Sequence, residues 1–200
     1  MNKLTGSECG KICLTGGPGG GKSTAADLFR RELGDKVVIV PETATMLFSG
    51  GFPRTDNPEG VLHTQKAIYS VQVNNEDLHT SIYPGRMLLC DRGTIDGAAY
   101  WPGGEEEFFK ENNTTLEQEL ARYDAIIFFE TAAVGGISIE GGNPVRNETL
   151  DKAIELDRRL HNLYKSHPNF IFVPHSNSFM KKIVYGLTSI ESMFKQLNRD

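Results

Sequence analysis

The run Gly16-Gly17-Pro18-Gly19-Gly20-Gly21-Lys22-Ser23-Thr24 constrains this chain more than any other segment. It fits the spacing Gly-x-x-x-x-Gly-Lys-Ser/Thr and stands between an apolar run, Lys11 to Thr15, and apolar residues at helical spacing, Ala25, Leu28, Phe29 and Leu33. A glycine-rich turn there can bring successive backbone N–H groups around a polyphosphate, because no Cβ holds the chain away. The helix beginning near Lys22 aims the positive end of its dipole, about half a unit charge, at the same point. Gly17, Gly19, Gly20 and Gly21 are therefore expected to wrap phosphates, with Lys22 reaching the β- and γ-phosphates. Ser23 offers a hydroxyl to Mg²⁺ and Thr24 lies near the α-phosphate. The implied ligands are ATP or GTP with Mg²⁺.

Four further apolar runs follow, Val37 to Val40, Met87 to Cys90, Ala125 to Phe129 and Phe170 to Val173. None alternates with polar residues, which predicts strands of a parallel sheet covered on both faces. Helical stripes separate them. The first ends at Gly34, a C-cap residue, and a second region, Glu59 to His79, has no glycine after Gly60 and no proline. Ala153, Leu156, Leu160, Leu163 and Tyr164 make another stripe, and Phe179, Ile183, Leu187, Ile190, Phe194 and Leu197 the last. Strands alternating with helices predict an α/β domain with a parallel sheet flanked by helices. At 200 residues the chain suits a single domain, 1–200. Residues 48–60 read as a loop. Gly135, Gly136, Gly141 and Gly142 make 132–147 either a hinged lid or a plain surface loop.

Charge and composition exclude several classes. Lys plus Arg is 21 and Asp plus Glu is 26, so the net charge is −5 and no general basic footprint for nucleic acid exists. The apolar runs fall far short of the roughly 20 residues that cross a bilayer, so no transmembrane segment is expected. The polar start, Met1 to Gly10, lacks the apolar core of a secretory signal. Cys9, Cys13 and Cys90 form neither a disulfide framework nor a zinc set, and the five histidines lack ligand spacing. These features describe a cytoplasmic protein with reduced thiols; its oligomeric state is open.

The third strand ends in Asp91, followed by Arg92. Ligand sites of parallel sheets lie beyond the carboxyl ends of the strands, which sets Asp91 beside the phosphate loop as a second Mg²⁺ donor. Arg92 can neutralise charge on a transferring phosphoryl group. Glu42, after the second strand, suits a general base for a hydroxyl acceptor or simply the N-terminus of a helix. Arg146, at the base of the lid, suits an arginine finger in cis. Gln65, Gln72 and Glu76 share one helix face; Gln72 and Glu76 are candidate substrate contacts, the other reading being a solvated face. His175, Ser176 and Asn177 follow the fifth strand, where a base could stack.

The phosphate loop, Pro41-Glu42-Thr43, the stretch Asp91-Arg92-Gly93-Thr94-Ile95-Asp96-Gly97 running to Tyr100-Trp101, and Arg146 ahead of its helix together resemble a family. It is the NadR/TTD14-like P-loop family, which includes the nicotinamide-riboside kinase part of bacterial NadR. More distantly, Asp91-Arg92-Gly93 is similar to the Glu-Arg-Ser element of deoxynucleoside kinases. The resemblance implies a P-loop NTPase of nucleoside-kinase-like form, a five-stranded sheet in the order 2-3-1-4-5 and a lid. It implies a catalytic edge of Glu42, Asp91, Arg92 and Arg146, with Asp96 accepting from a substrate hydroxyl. Mg²⁺-dependent phosphoryl transfer from ATP or GTP to a small hydroxylated metabolite or nucleoside is the expected activity. The alternative is a nucleotide-dependent switch or binding module that binds GTP and a phospholipid headgroup without small-molecule kinase activity. Replacing Lys22 with Ala is expected to abolish the calorimetric heat of Mg²⁺-ATP or Mg²⁺-GTP binding; an unchanged isotherm would remove the loop from the ligand site.

Overall fold

The computed structural model describes residues 10–136, 149–176 and 178–197. Strands β1 (Lys11–Thr15), β2 (Val37–Val40), β3 (Met87–Asp91), β4 (Ala125–Phe129) and β5 (Phe170–Val173) form one sheet in the order β2-β3-β1-β4-β5. Every pairing is parallel, so each connection must cross back over a face of the sheet. The five-stranded α/β fold is the one expected from the apolar runs, and its strand order is the one the family resemblance implied. β3 runs one residue beyond the apolar run, because Asp91 pairs with Leu14 in the β1 ladder.

Alternation along the strands sorts side chains into two cores. Ile12, Leu14, Leu89, Ile127 and Phe129 pack on Ala25, Ala26 and Phe29 of α1 (Lys22–Leu33) and on Ile183 and Ile190 of α7 (Phe179–Leu197). Cys13, Leu88, Cys90, Ile126 and Phe128 face the other way, onto Leu156, Leu160 and Tyr164 of α6 (Leu150–Tyr164) and onto Ile95 and Trp101. Burial on both faces holds for β3 and β4, whereas the edge strand β5 leaves Phe172 partly exposed.

Local signals set the helix ends. α3 (Pro58–Ile82) starts where the Asn57 side chain accepts the Glu59 N–H at 3.0 Å and Pro58 takes the first position, where its missing N–H costs nothing. Residues 48–60 are therefore only partly loop: α2 (Thr43–Ser49) enters the segment from one side and α3 from the other. Between β3 and β4 lie a 3₁₀ turn over Thr94–Tyr100, α4 (Glu105–Glu111) and α5 (Leu116–Leu120). At seven and five residues, α4 and α5 are too short to show a stripe. α5 is instead marked by a capping box, Thr115 accepting from the Gln118 N–H at 3.2 Å and Gln118 from the Thr115 N–H at 3.1 Å.

Among the described residues no helix is long and apolar enough to cross a membrane. Leu160 is fully buried between α6 and the sheet. Leu160→Ala should cost about 2–5 kcal/mol of unfolding free energy, read from the urea midpoint at unchanged slope.

Candidate active site

β1 lies between β3 and β4, so the chain leaves the sheet in opposite directions on its two sides, and the crevice beyond the carboxyl ends opens at that point. A cleft of about 580 Å³ occupies it. Its wall carries Gly19, Gly21, Lys22, Ser23, Thr24, Glu42 and Asp91, continuing along Ile39, Pro41, Thr45, Met46 and Ser49. Seven sequence-predicted residues thus meet on one surface. Gly17, Gly20, Arg92, Asp96, Gln72 and Glu76 are not on that wall, and Arg146, with most of the expected lid, lies outside the described residues.

The phosphate loop turns on positive φ at Gly16, Gly19 and Gly21 (130°, 73° and 88°). Lys22 is almost fully buried and its Nζ donates to the carbonyls of Gly16 at 2.7 Å and Gly17 at 2.8 Å, which poises the ammonium inside the turn. Three side chains that sequence reasoning missed hold the loop from behind. Asp157 Oδ1 accepts the Gly17 N–H at 2.8 Å, the Thr131 hydroxyl donates to the Pro18 carbonyl, and Lys182 Nζ donates to the Gly20 carbonyl at 3.1 Å. Gly17 has no room for a side chain, since a Cβ there would stand 2.5 Å from Asp157 Oδ1. The available signal was a charge set beside an apolar stripe, Asp157 next to Leu156 and Lys182 next to Ile183.

Asp91 reaches the cleft from the end of β3 and lines it together with Ser23. Burial, and then the charge of Glu42, push its carboxyl above the usual carboxylate range. Asp91 Oδ1 is buried with no protein partner. A shielded carboxylate oxygen and a hydroxyl at the foot of a phosphate loop are the hard oxygen donors Mg²⁺ takes when substrate phosphates complete its shell. The residues present fit that ion.

Arg92 has φ of 74°, in the left-handed region that costs a side-chain-bearing residue about 1–2 kcal/mol. Surrounding contacts over-determine it. Arg92 Nε donates to Glu42 Oε1 and its NH1 to Asp96 Oδ2 at 2.7 Å, while its carbonyl accepts from Gln72 Nε2 at 3.3 Å. Burial alone would weaken the guanidinium, and Tyr100, Glu42 and Asp96 more than offset it, so Arg92 stays charged. The Thr45 hydroxyl donates to the second Glu42 oxygen at 2.6 Å. Gly93 completes the turn because a Cβ would lie 2.3 Å from the Tyr164 hydroxyl and 2.7 Å from Cys13 Sγ.

The three expected substrate contacts are buried in a hydrogen-bonded network beside the cleft. Asp96 is buried, and its Oδ1 accepts from the Thr15 hydroxyl at 2.9 Å and the Tyr164 hydroxyl at 2.7 Å. Gln72 accepts from Thr43 at 2.7 Å and donates to Glu76 at 3.0 Å. Glu76 is 0% exposed and accepts from the Tyr123 hydroxyl at 2.8 Å and Arg122 NH2 at 3.2 Å. The face of α3 that carries Gln65, Gln72 and Glu76 is neither solvated nor on the cleft; it is buried against the 94–100 turn. A carboxylate there is tolerable only when fully hydrogen-bonded, which is what Gln72, Tyr123 and Arg122 provide. Asp96, Gln72 and Glu76 thus stand behind Arg92, off the cleft wall.

A family model described as an AAA domain matches residues 11–180. The chain belongs to this AAA-domain family. A solved structure, deoxyadenosine kinase from M. mycoides with bound dATP, is similar over 90% of this chain and 98% of that one, with a TM-score of 0.66 and 16% identity. At that identity the likeness establishes the fold, a nucleoside-kinase-like P-loop fold, as the motifs led one to expect. No curated protein matches this chain.

Asp91 generates a prediction with a definite sign. Its folded pKa lies above the unfolded value, so the folded state binds the extra proton and stability falls as pH rises from the ordinary carboxylate pKa through the raised one. Asp91→Asn should remove that slope and raise the urea midpoint at neutral pH, measured from pH 4 to pH 8. A lower midpoint at neutral pH would show that the ionised carboxylate is stabilising.

Proposed function

We propose that this protein is a Mg²⁺- and nucleoside-triphosphate-dependent phosphotransferase acting on a small hydroxylated molecule, a nucleoside being the class nearest to the fold. One observation carries the reading: Lys22, the Ser23–Asp91 pair and Glu42 line the same cleft. Phosphate binding, metal binding and proton acceptance are then within reach of one another.

The phosphate loop binds the triphosphate through its main-chain N–H groups and the α1 N-terminus, with Lys22 adding a full positive charge. Ser23 and Asp91 would hold Mg²⁺, which neutralises charge on the phosphates. Glu42 accepts the proton of the acceptor hydroxyl as that oxygen attacks. Arg92 and Thr45 fix both Glu42 oxygens, so the base is held in one orientation and not left to sample rotamers. The apolar side of the cleft, Ile39, Pro41 and Met46, gives the acceptor a surface to pack on.

A second reading, a nucleotide-dependent switch, is favoured by one feature. Arg92 Nε and NH1 each donate to a carboxylate and the residue is not on the cleft wall, so its charge is already balanced within the protein and not presented to a transferring phosphoryl group. Glu42→Gln separates the readings. In a phosphotransferase it should leave triphosphate affinity within about threefold and lower turnover of the acceptor identified by metabolite screening by about 100-fold or more. Full turnover by that variant would remove Glu42 from the chemistry. Nucleotide-dependent amide protection with no product from any acceptor would establish the switch.

A further inference from the structure

The phosphate loop is tied to the far side of the sheet by one carboxylate oxygen. Asp157, near the middle of α6, is 7% exposed, and its Oδ1 accepts two main-chain N–H groups, that of Gly17 at 2.8 Å and that of Thr131 at 2.9 Å. Gly17 opens the phosphate loop, and Thr131 follows β4 by two residues. The Thr131 hydroxyl in turn donates to the Pro18 carbonyl, so α6, the end of β4 and the loop close into one hydrogen-bonded ring. The contact is tight, as the space at Gly17 shows.

Two physical consequences follow, and they oppose one another. As an acceptor, Oδ1 turns the Gly17 N–H outward and fixes the entry of the loop, which pre-orders the amides that follow it for a ligand. As an anion, the same group stands on the outer side of a loop whose inner side is read above as a triphosphate site; like charges separated by one turn of chain repel. The charged groups around Asp157 are Lys22 from α1, Glu130 at the end of β4 and Lys182 from α7. Lys22 is thus shared between this internal carboxylate and whatever anion the loop holds.

We propose that Asp157 is a positioning residue with two separable effects: its oxygen latches the entry of the phosphate loop, and its charge holds down the affinity of that loop for triphosphates. The second effect rests on the functional reading above; the first does not. No contact between Asp157 and a ligand is needed for either.

Asp157→Asn and Asp157→Ala divide the two effects. The amide of Asn offers an oxygen in place of Oδ1 and carries no charge, whereas Ala removes acceptor and charge together. Without ligand, the Gly17 amide should exchange with solvent about tenfold faster or more in Asp157→Ala and at the parental rate in Asp157→Asn. In the parent protein the Gly17 and Thr131 amide resonances should move with one common titration that is missing from Asp157→Asn. This measurement needs no Ala variant and decides the latch should that variant not fold. With Mg²⁺-ATP and Mg²⁺-GTP as probes, Asp157→Asn should bind about threefold tighter or more at low salt, a gain that shrinks as salt is raised, and Asp157→Ala about tenfold weaker. Independent titrations of the two amides, or parental exchange of Gly17 in Asp157→Ala, would overturn the latch. Unchanged or weaker triphosphate binding by Asp157→Asn would overturn the role of the charge. A parent that binds neither nucleotide sinks the functional reading and the charge effect with it, while the amide measurements still decide the latch.

Discussion

The turn from β1 into α1 is the constraint on which everything else depends. It must leave the central strand of a parallel sheet, reverse within six residues and start a helix. Only a backbone free to take positive φ at Gly16, Gly19 and Gly21 can do so, and only one without side chains at Gly17 fits against Asp157. The glycines thus answer two demands: approach of a ligand from the cleft and close packing of the protein from behind.

A second constraint follows from the register of β3 on β1. Pairing of Leu14 with Asp91 brings the acidic end of β3 level with the phosphate loop, and the next residue, Arg92, must then turn back sharply. Its left-handed backbone is held by Gln72 on the carbonyl and by Glu42 and Asp96 on the guanidinium. Glu76, Tyr123 and Thr94 extend the support inward, Tyr123 accepting the Thr94 N–H at 2.8 Å. The strained residue is therefore braced by a buried polar network in which each carboxylate has partners. That satisfaction makes such a network affordable in a low-dielectric interior.

Much of the architecture was legible in the chain. Five apolar runs gave five strands because a strand buried on both faces has no reason to alternate, and the stripes of α1, α6 and α7 appear because each packs one face on the sheet. The phosphate loop, Glu42 and Asp91 were legible for a related reason: in a parallel sheet, position just after a strand already implies position at the cleft. Gln72, Glu76 and Asp96 were not. Polar residues on a helix face suggest water or a ligand, and nothing local announces that Tyr123, Arg122 and Tyr164 will cover them.

The order of elements, the placing of the phosphate loop between β1 and α1, and the acidic end of β3 were determined by the sequence itself, because hydrophobic period, glycine spacing and helix capping act over a few residues. Tertiary structure alone decided that Arg92 would be shared by Glu42 and Asp96, that Glu76 would become an internal post, and that Asp157 would hold Gly17. Glu42 and Arg92 are 50 residues apart, and Gly17 and Asp157 are 140 apart. Partners that distant meet only where strand register and helix packing bring them, and no short-range pattern encodes either.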